Sequence, residues 1–465
     1  MLVSSDPDTL DPRFAVDAVS LRVTRLLHAG LVRCDPSTLA PVAYLASGWQ
    51  WQDPLTLHVD LRQDVRFHSG KPFVSADVVA TLRAFASKEV GSRHARVVDA
   101  IASAEEDGPH AVTITMRRPH ATLLTDLELP ILRADEAFGP PRPDGTLDGL
   151  GPFHVARFAH GEVLLEPAQG RTMDAPHHAV SIRTVHDENA RALRLFAGRA
   201  DIALNVLSPT LLPAMEKQAD LAVFSRPGAN LTYLVVRTDK GPLQDVRVRR
   251  AVSLAIHRDE IARTLLAGRA QPAGELIPPS HWASTPAPPL SFDANAARTL
   301  LREAGLARVR LSLLTSTDRL RGSIARTMAQ ELAEVGIDID VTPLELGTMI
   351  ARLNAGDFDL AALQLPEISE PNVLRFFLHS TNVPPAGANR GRVRDATVDA
   401  LLDEGDRAMG EETRRAIYAQ LEKRLRDEML IIPLFHEDQV AVTSVRAREF
   451  KPSAEGRWLG LASLP

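Results

Sequence analysis

The sequence predicts an α/β protein with more than one domain. Strand and helix patterns alternate between residues 309 and 363, which is typical of a parallel sheet covered by helices. Apolar and polar residues alternate in residues 55–61 and in Ala111–Met116, and such runs indicate half-buried strands. The 465 residues correspond to about three domains of ordinary size.

The composition excludes several classes of protein. The hydrophobic fraction of 45% and the charged fraction of 24% are normal for a globular chain with a sizeable core. A formal net charge of -6 gives no electrostatic reason to expect a nucleic-acid partner. The single cysteine, Cys34, excludes an internal disulfide and a cysteine-rich metal site. No apolar run is long enough to predict a transmembrane helix.

The first half of the chain has clear element boundaries. Residues 21–31 carry leucine and valine at helical spacing, so we expect a helix that ends near Gly30. The strand at 55–61 is followed by a turn at 67–72, and Ser75 is expected to cap the next helix.

A strong helical pattern lies in residues 245–268, DVRVRRAVSLAIHRDEIARTLLAG. Asp245 is a favourable N-cap, apolar residues recur at helical spacing, and Gly268 ends the run. The remaining face is cationic and carries four arginines: Arg247, Arg249, Arg250 and Arg258. The pattern therefore predicts one amphipathic surface helix.

The rest of the second half alternates between strands and helices. The expected strands are residues 309–314, 337–341 and 358–363, and the intervening helices are residues 322–335 and 346–353. A long helix over residues 412–430 precedes two short closing strands.

Two of these stretches resemble a known family. LRQDVRFHSGKPFVSADVVATL, residues 61–82, is similar to the pattern LRxxVxFHxGxPxxAxDVVxSL of the family 5 extracellular solute-binding proteins of ABC importers. The helix at 245–261 resembles the family pattern DVRVRxAxxxAIxRxxI. DPDTLDP at 6–12, GLGPF at 149–153 and DANAARTLLREAG at 293–305 are also similar to family motifs, so the resemblance covers nearly the whole chain.

The resemblance implies a two-lobe periplasmic-binding-protein-like α/β fold, of class II type and cluster C. The first lobe is then discontinuous and consists of residues 1–38, 150–235 and 439–465. Residues 39–149 are expected to form a subdomain inserted into it, and residues 236–438 the second lobe.

The resemblance also implies a function. The chain is expected to bind a di- or oligopeptide between its lobes, and to deliver it to the membrane permease of an ABC importer. It would work as a monomer without cofactor or catalytic residues, in the periplasm or at the cell surface. The start MLVSSDPDTLDP lacks the basic and apolar regions of a signal peptide. We therefore expect a trimmed form or a start codon assigned too late.

Three residues are candidates for the ligand site. A zwitterionic peptide needs an acid for its ammonium and a cation for its carboxylate. In the loop PEISEP, Glu367 occupies the position of an aspartate that receives the ammonium in peptide-binding members, and its longer side chain leaves the ligand open. Arg319 and Arg321 lie between a strand end and a helix start, where α/β folds bind ligands.

Other functions stay open. A cytoplasmic sensor or regulator uses the same fold, but it carries an N-terminal helix-turn-helix, and none precedes Leu10. A nickel chelate or another small solute is a further alternative ligand, although no cluster of residues suited to a bare metal ion is visible. Enzyme function is not expected, because G-x-S-x-G, H-E-x-x-H and Walker motifs are absent from the sequence.

Overall fold

The computed structural model describes residues 1–168 and 176–465. The chain forms two compact units. Unit 1 comprises Met1–Arg226 and Gln439–Pro465, and unit 2 comprises Pro227–Asp438. The chain therefore passes between the units twice. Within the described residues, no helix has both the length and the apolar character needed to span a bilayer.

Both units contain β-strands. In chain order they are β1 Leu2–Val3, β2 Val32–Cys34, β3 Pro41–Ala43, β4 Ala46–Asp53, β5 Thr56–Leu61, β6 Ile101–Glu106, β7 Ala111–Met116, β8 Phe153–Ala159, β9 Glu162–Pro167, β10 Val180–Thr184, β11 Ile202–Leu204, β12 Leu221–Arg226, β13 Leu231–Val236, β14 Ala270–Pro272, β15 Val309–Ser316, β16 Ile337–Leu344, β17 Leu360–Leu365, β18 Ile431–Glu437 and β19 Gln439–Ser444.

The longest helices lie in unit 2. In chain order the α-helices are α1 Ala18–Leu27, α2 Ser75–Ala86, α3 Leu123–Asp126, α4 Glu188–Phe196, α5 Leu212–Met215, α6 Val246–Leu254, α7 Arg258–Thr264, α8 Ala294–Glu303, α9 Arg319–Glu334, α10 Leu346–Ala355, α11 Val373–Leu378, α12 Ala396–Arg407 and α13 Glu411–Glu428. Ser75 is the first helical residue of α2 rather than its N-cap, because its hydroxyl donates to Gly108 O instead of capping the helix.

Unit 1 contains two larger sheets. One is mixed, with the strand order β12-β19-β11-β1-β10-β9-β8, and the other is antiparallel, with the order β4-β5-β7-β6. The closing strand β19 pairs with β11 and β12. Phe67, Phe73 and Phe85 are fully buried in one hydrophobic core with residues of the antiparallel sheet, and Phe67 and Phe73 are the aromatic positions of the 61–82 stretch.

Unit 2 is built on one six-stranded sheet with the order β14-β18-β13-β17-β15-β16. β15 is parallel to β16 and to β17, as the alternation of strands and helices predicts. β13 pairs antiparallel with β17 and β18. The strand at Leu231–Val236, which the sequence analysis placed almost entirely in the first lobe, therefore belongs to the sheet of unit 2.

The arginine-rich stretch differs from the prediction. It forms two helices, α6 and α7, and Arg249 and Arg258 are only 4% and 2% exposed. The Arg258 guanidinium donates to Pro433 O at 2.9 Å, to Ser253 O at 2.9 Å and to Ser253 Oγ at 2.9 Å. Arg249 donates to Glu428 O and Met429 O at the end of α13. Both cations are buried because backbone carbonyls satisfy their donors.

We expect Arg258→Met to lower the free energy of unfolding by about 2–4 kcal/mol, because it leaves buried carbonyls without donors. Urea denaturation of the full chain measures the change. Arg263→Gln is the matched control, because Arg263 lies on the same helix with its side chain 71% exposed. Equal effects of the two variants would contradict the structural role of Arg258.

His28 is fully buried at the end of α1, and neither ring nitrogen has a hydrogen-bond partner among the described residues. Burial, followed by the nearby charge of His68, lowers the pKa of His28 from 6.5 to about 4. Asp11 and Asp148 oppose this shift, and Arg13 adds to it.

Acid should therefore destabilise the protein through His28. As the pH falls, the unfolded chain binds a proton at this histidine near pH 6.5, whereas the folded chain binds it only near pH 4. The stability that depends on neutral His28 is therefore complete above pH 6.5 and is lost as the pH falls to about 4. Acid lowers the free energy of unfolding, and we expect His28→Leu to remove about 3 kcal/mol of this decrease. Free energies of unfolding at the two ends of this range test it, with the exposed His178→Leu as control. An unchanged pH dependence in His28→Leu would refute the assignment.

Candidate functional site

The three predicted site residues lie at the same edge of the sheet in unit 2. β15 and β17 are parallel neighbours, so the loops that follow them lie at the same edge. The loop and first helical turn after β15 contain Arg319 and Arg321, and the loop after β17 contains Glu367. The amino end of β13 pairs with the carboxyl end of β17, through Leu231 and Leu365. The chain enters and leaves unit 2 near this edge.

Arg321 already has a carboxylate partner. Its Nη1 lies 2.5 Å from Glu437 Oε1, and its Nη2 lies 2.9 Å from Glu437 Oε2. The side chains are only 24% and 15% exposed. Desolvation alone would lower the pKa of Arg321, but the charge and hydrogen bonds of Glu437 outweigh it and raise the pKa above its ordinary value. The pair is therefore electrically neutral as a unit.

Glu437 is held by three further polar side chains. Thr232 Oγ1 donates to Glu437 Oε1, and Gln364 Nε2 lies 3.3 Å from the same oxygen. Asn230 binds the backbone of Glu437 twice: Oδ1 accepts from Glu437 N at 2.8 Å, and Nδ2 donates to Glu437 O at 2.6 Å. Sequence reasoning missed Glu437 and these partners. Their positions at strand ends were the available signal, but nothing in the sequence shows their pairing.

Arg319 is the first residue of α9 and is exposed. Asp318 caps this helix by accepting from the backbone nitrogen of Arg321 at 2.9 Å. The cap fixes the helix start and thereby the position from which the Arg319 side chain extends. Of the two predicted arginines, Arg319 is the one that extends into solvent.

The residues that follow Glu367 fix the position of its loop. Ile368 is fully buried, and its backbone nitrogen donates to Ala229 O at 2.6 Å. Glu370 forms an ion pair with the buried Arg414, whose guanidinium lies 5.1 Å from the centroid of the Trp282 ring. Glu367 itself is half-buried, one residue before the buried Ile368. The anchored loop can thus hold a carboxylate in a defined place.

The described residues offer no group of three or more His, Cys, Asp or Glu side chains that could hold a metal ion. His436 is buried, and its Nδ1 lies 2.6 Å from Asn230 O. This edge of the sheet therefore carries charged side chains of both signs.

A family model covers most of the chain. The model described as "Bacterial extracellular solute-binding proteins, family 5 Middle" matches residues 40–384. Among similar proteins, a probable di/tripeptide-binding protein of Pseudomonas aeruginosa is 27% identical over 468 residues, covering 92% of this chain and 88% of the relative. The glutathione-binding protein GsiB of Salmonella paratyphi A is 26% identical over 464 residues, covering 95% and 89%.

Solved structures match over the full length. The periplasmic binding protein DppA of Helicobacter pylori, in complex with the peptide STSA, has a TM-score of 0.82 at 21% identity and covers 100% of this chain and 96% of that one. NikA of Brucella suis, in complex with Fe(III)-EDTA, has a TM-score of 0.87 at 22% identity, with coverage of 100% and 99%. These likenesses confirm the predicted periplasmic-binding-protein fold.

The pair of Arg321 and Glu437 can be tested by a double-mutant cycle. We expect Glu437→Gln to lower the free energy of unfolding by about 1–3 kcal/mol, because it leaves the Arg321 cation without a counter-charge. Arg321→Met should then lower the free energy of unfolding much less in the Glu437→Gln background than in the wild type. The control pair is Arg308, which precedes β15, and Asp338 of β16, with side chains 69% and 36% exposed. Similar coupling in both pairs would contradict the expectation.

Proposed function

The chain belongs to family 5 of the bacterial extracellular solute-binding proteins, and from this premise we propose that it binds peptides for an ABC importer. The family match over residues 40–384 carries this proposal. The relatives named above bind di- or tripeptides or glutathione, according to their names, and they align with nearly the whole chain. A peptide or peptide-like solute is the ligand class that these relatives have in common.

The protein performs no chemistry in this proposal. It takes up the solute outside the cytoplasm, in the periplasm or at the cell surface, and passes it as a monomer to a membrane permease. Ligand affinity then depends on charge complementarity and desolvation alone.

The roles of the site residues follow from their surroundings. We assign the peptide ammonium to Glu367, because its loop is anchored at Ile368 and Glu370. We assign the peptide carboxylate to Arg319, whose side chain is exposed. Arg321, with Glu437 as its partner, supports the edge and contributes to ligand binding through the position of α9. Each assignment predicts a different response to changes in the ligand.

The ligand itself can be identified directly. Native mass spectrometry of the purified chain would detect a small molecule that remains bound through purification. Calorimetric titration would then compare dipeptides, tripeptides, longer peptides, glutathione and a nickel–histidine chelate. Saturable binding of a peptide supports the proposal. Binding of the chelate alone, with no response to any peptide, would refute it and favour the chelate.

Glu367→Gln should weaken peptide binding by more than about tenfold. Loss of one partner of a desolvated charge pair costs about 2–5 kcal/mol, and about 1.4 kcal/mol corresponds to a factor of ten. The melting temperature without ligand should change little, because the side chain is not part of the core. Glu334→Gln, an exposed carboxylate at the end of α9, is the matched control. Calorimetric titration with the tightest-binding peptide gives the affinity ratios.

An N-acetylated peptide separates a direct contact from an indirect effect. If Glu367 binds the ammonium, acetylation should weaken binding to the wild type, and Glu367→Gln should weaken it no further. Additive losses would mean that Glu367 acts on the ligand by another route, and an unchanged affinity for the free peptide would remove it from the site.

Arg319 is tested from the other end of the ligand. Arg319→Gln should weaken binding of a peptide with a free carboxylate by about tenfold, since charge-assisted hydrogen bonds are the strong ones. A C-terminally amidated peptide should bind the variant and the wild type equally. A variant that discriminates against both peptides to the same extent would contradict the assignment.

A further inference from the structure

Four cationic side chains converge on the carboxyl end of α10. Gly356, which caps this helix, has a carbonyl oxygen that accepts from Arg237 Nη1 and, at 3.2 Å, from Lys240 Nζ. Gly356 lies shortly before the amino end of β17. The peptide-site residues proposed above follow the carboxyl ends of β15 and β17, so these cations lie at the opposite edge of the sheet.

The other two cations come from the loop at residues 388–393. Arg390 Nε donates to Asn354 Oδ1 at 3.0 Å, and Arg390 makes no other hydrogen bond within the described part of the chain. Arg392 Nη2 lies 3.4 Å from both Asn354 O and Ala355 O, near the limit for a hydrogen bond. Its Nε is buried and has no partner among the described residues. Most donors of these two arginines are therefore not used by the protein.

The backbone of this loop is held in place. Gly391 O accepts from Thr238 N at 3.0 Å and from Thr238 Oγ1 at 2.9 Å. Asn389 Oδ1 accepts from Val393 N, and Asn389 Nδ2 donates to Val393 O, both at 2.9 Å. The positions from which the two loop arginines extend are thus defined before any ligand binds, which lowers the entropy that binding costs.

The charges of this region do not balance. Asp239 pairs with Arg237. Within the described ranges, no carboxylate lies at ion-pair distance from Lys240, Arg390 or Arg392, and these three residues are named the α10-end cluster. Asp239 and the negative end of the helix dipole, about half an elementary charge, leave more than two positive charges without a counter-charge. Burial lowers the pKa of Arg390 from its ordinary value, so this cation is partly desolvated.

We propose that the α10-end cluster binds a phosphate dianion, independently of the peptide site. The phosphate oxygens accept hydrogen bonds from the two guanidiniums, which are half-buried, and from the exposed Lys240 ammonium. Arginine donors match the oxygens of a phosphate group, and its two negative charges match the excess positive charge. A carboxylate has one charge and leaves more of that excess in place. The phosphate belongs either to a free anion or to a phosphomonoester headgroup at a membrane surface.

Inorganic phosphate is the probe for the test. Calorimetric titration of the purified full chain at mildly alkaline pH, where the second phosphate proton is lost, should show saturable phosphate binding and no binding of acetate at equal ionic strength. Arg390→Gln should weaken phosphate binding by about tenfold or more, because it removes a charge-assisted contact, and Lys240→Gln should weaken it less. Arg302→Gln is the matched control, because Arg302 is an exposed arginine of the same unit that bonds only Thr299 among the described residues.

Vesicles distinguish the two sources of phosphate. The protein is floated with vesicles of phosphatidylcholine and phosphatidic acid, and with vesicles of phosphatidylcholine alone. Flotation with the phosphatidic acid vesicles only, lost in Arg390→Gln, assigns the cluster to a headgroup. Saturable binding of inorganic phosphate without flotation assigns it to a free phosphate.

Three results would overturn the proposal: no saturable phosphate binding, equal weakening in Arg302→Gln and Arg390→Gln, or a phosphate affinity that neither cluster variant changes. If Arg390→Gln fails to fold, Lys240→Gln decides, because the Lys240 side chain is exposed. The peptide assignment is judged separately. Glu367→Gln should leave phosphate affinity unchanged, so failure of either proposal is recognised without the other.

Discussion

The second unit depends on buried arginines whose donors are used by backbone carbonyls. Arg258 joins the start of α7 to Pro433 in β18, and Arg249 joins α6 to the last carbonyls of α13. β18 is the direct neighbour of β13 in the sheet. A cation at the carboxyl end of a helix also opposes the negative end of the helix dipole. These two side chains therefore connect a helix pair, a neighbouring helix and the sheet without any carboxylate.

Unit 1 also contains a buried arginine that donates to backbone carbonyls. Arg13 is fully buried and donates to Ala137 O at 3.1 Å and Gly139 O at 2.7 Å, while Asp11 supplies its counter-charge. The arginine side chains compared here satisfy carbonyls, neutralise carboxylates or extend into solvent. The distinction between Arg258, Arg321 and Arg319 is made by what surrounds each side chain.

That distinction limits what the sequence can predict. The strands and helices of residues 309–363, the cap at Asp245 and the family follow from local patterns, because these depend on neighbours in sequence. The burial of Arg258 does not, since its partner Pro433 is 175 residues away. Glu437 was missed for the same reason, because 116 residues separate it from Arg321.

The double hydrogen bond between Asn230 and Glu437 has a consequence for the evolution of chain length. It ties together the two segments that leave unit 2, and on the unit 1 side Arg226 and Gln439 are paired in register. Three residues, 227–229, separate these ties in one segment, and Asp438 alone separates them in the other. An extra residue in one segment alone would not be matched in the other, so the two ties could not both keep their register. These connections should therefore keep their lengths among homologues, whereas surface loops elsewhere readily change theirs.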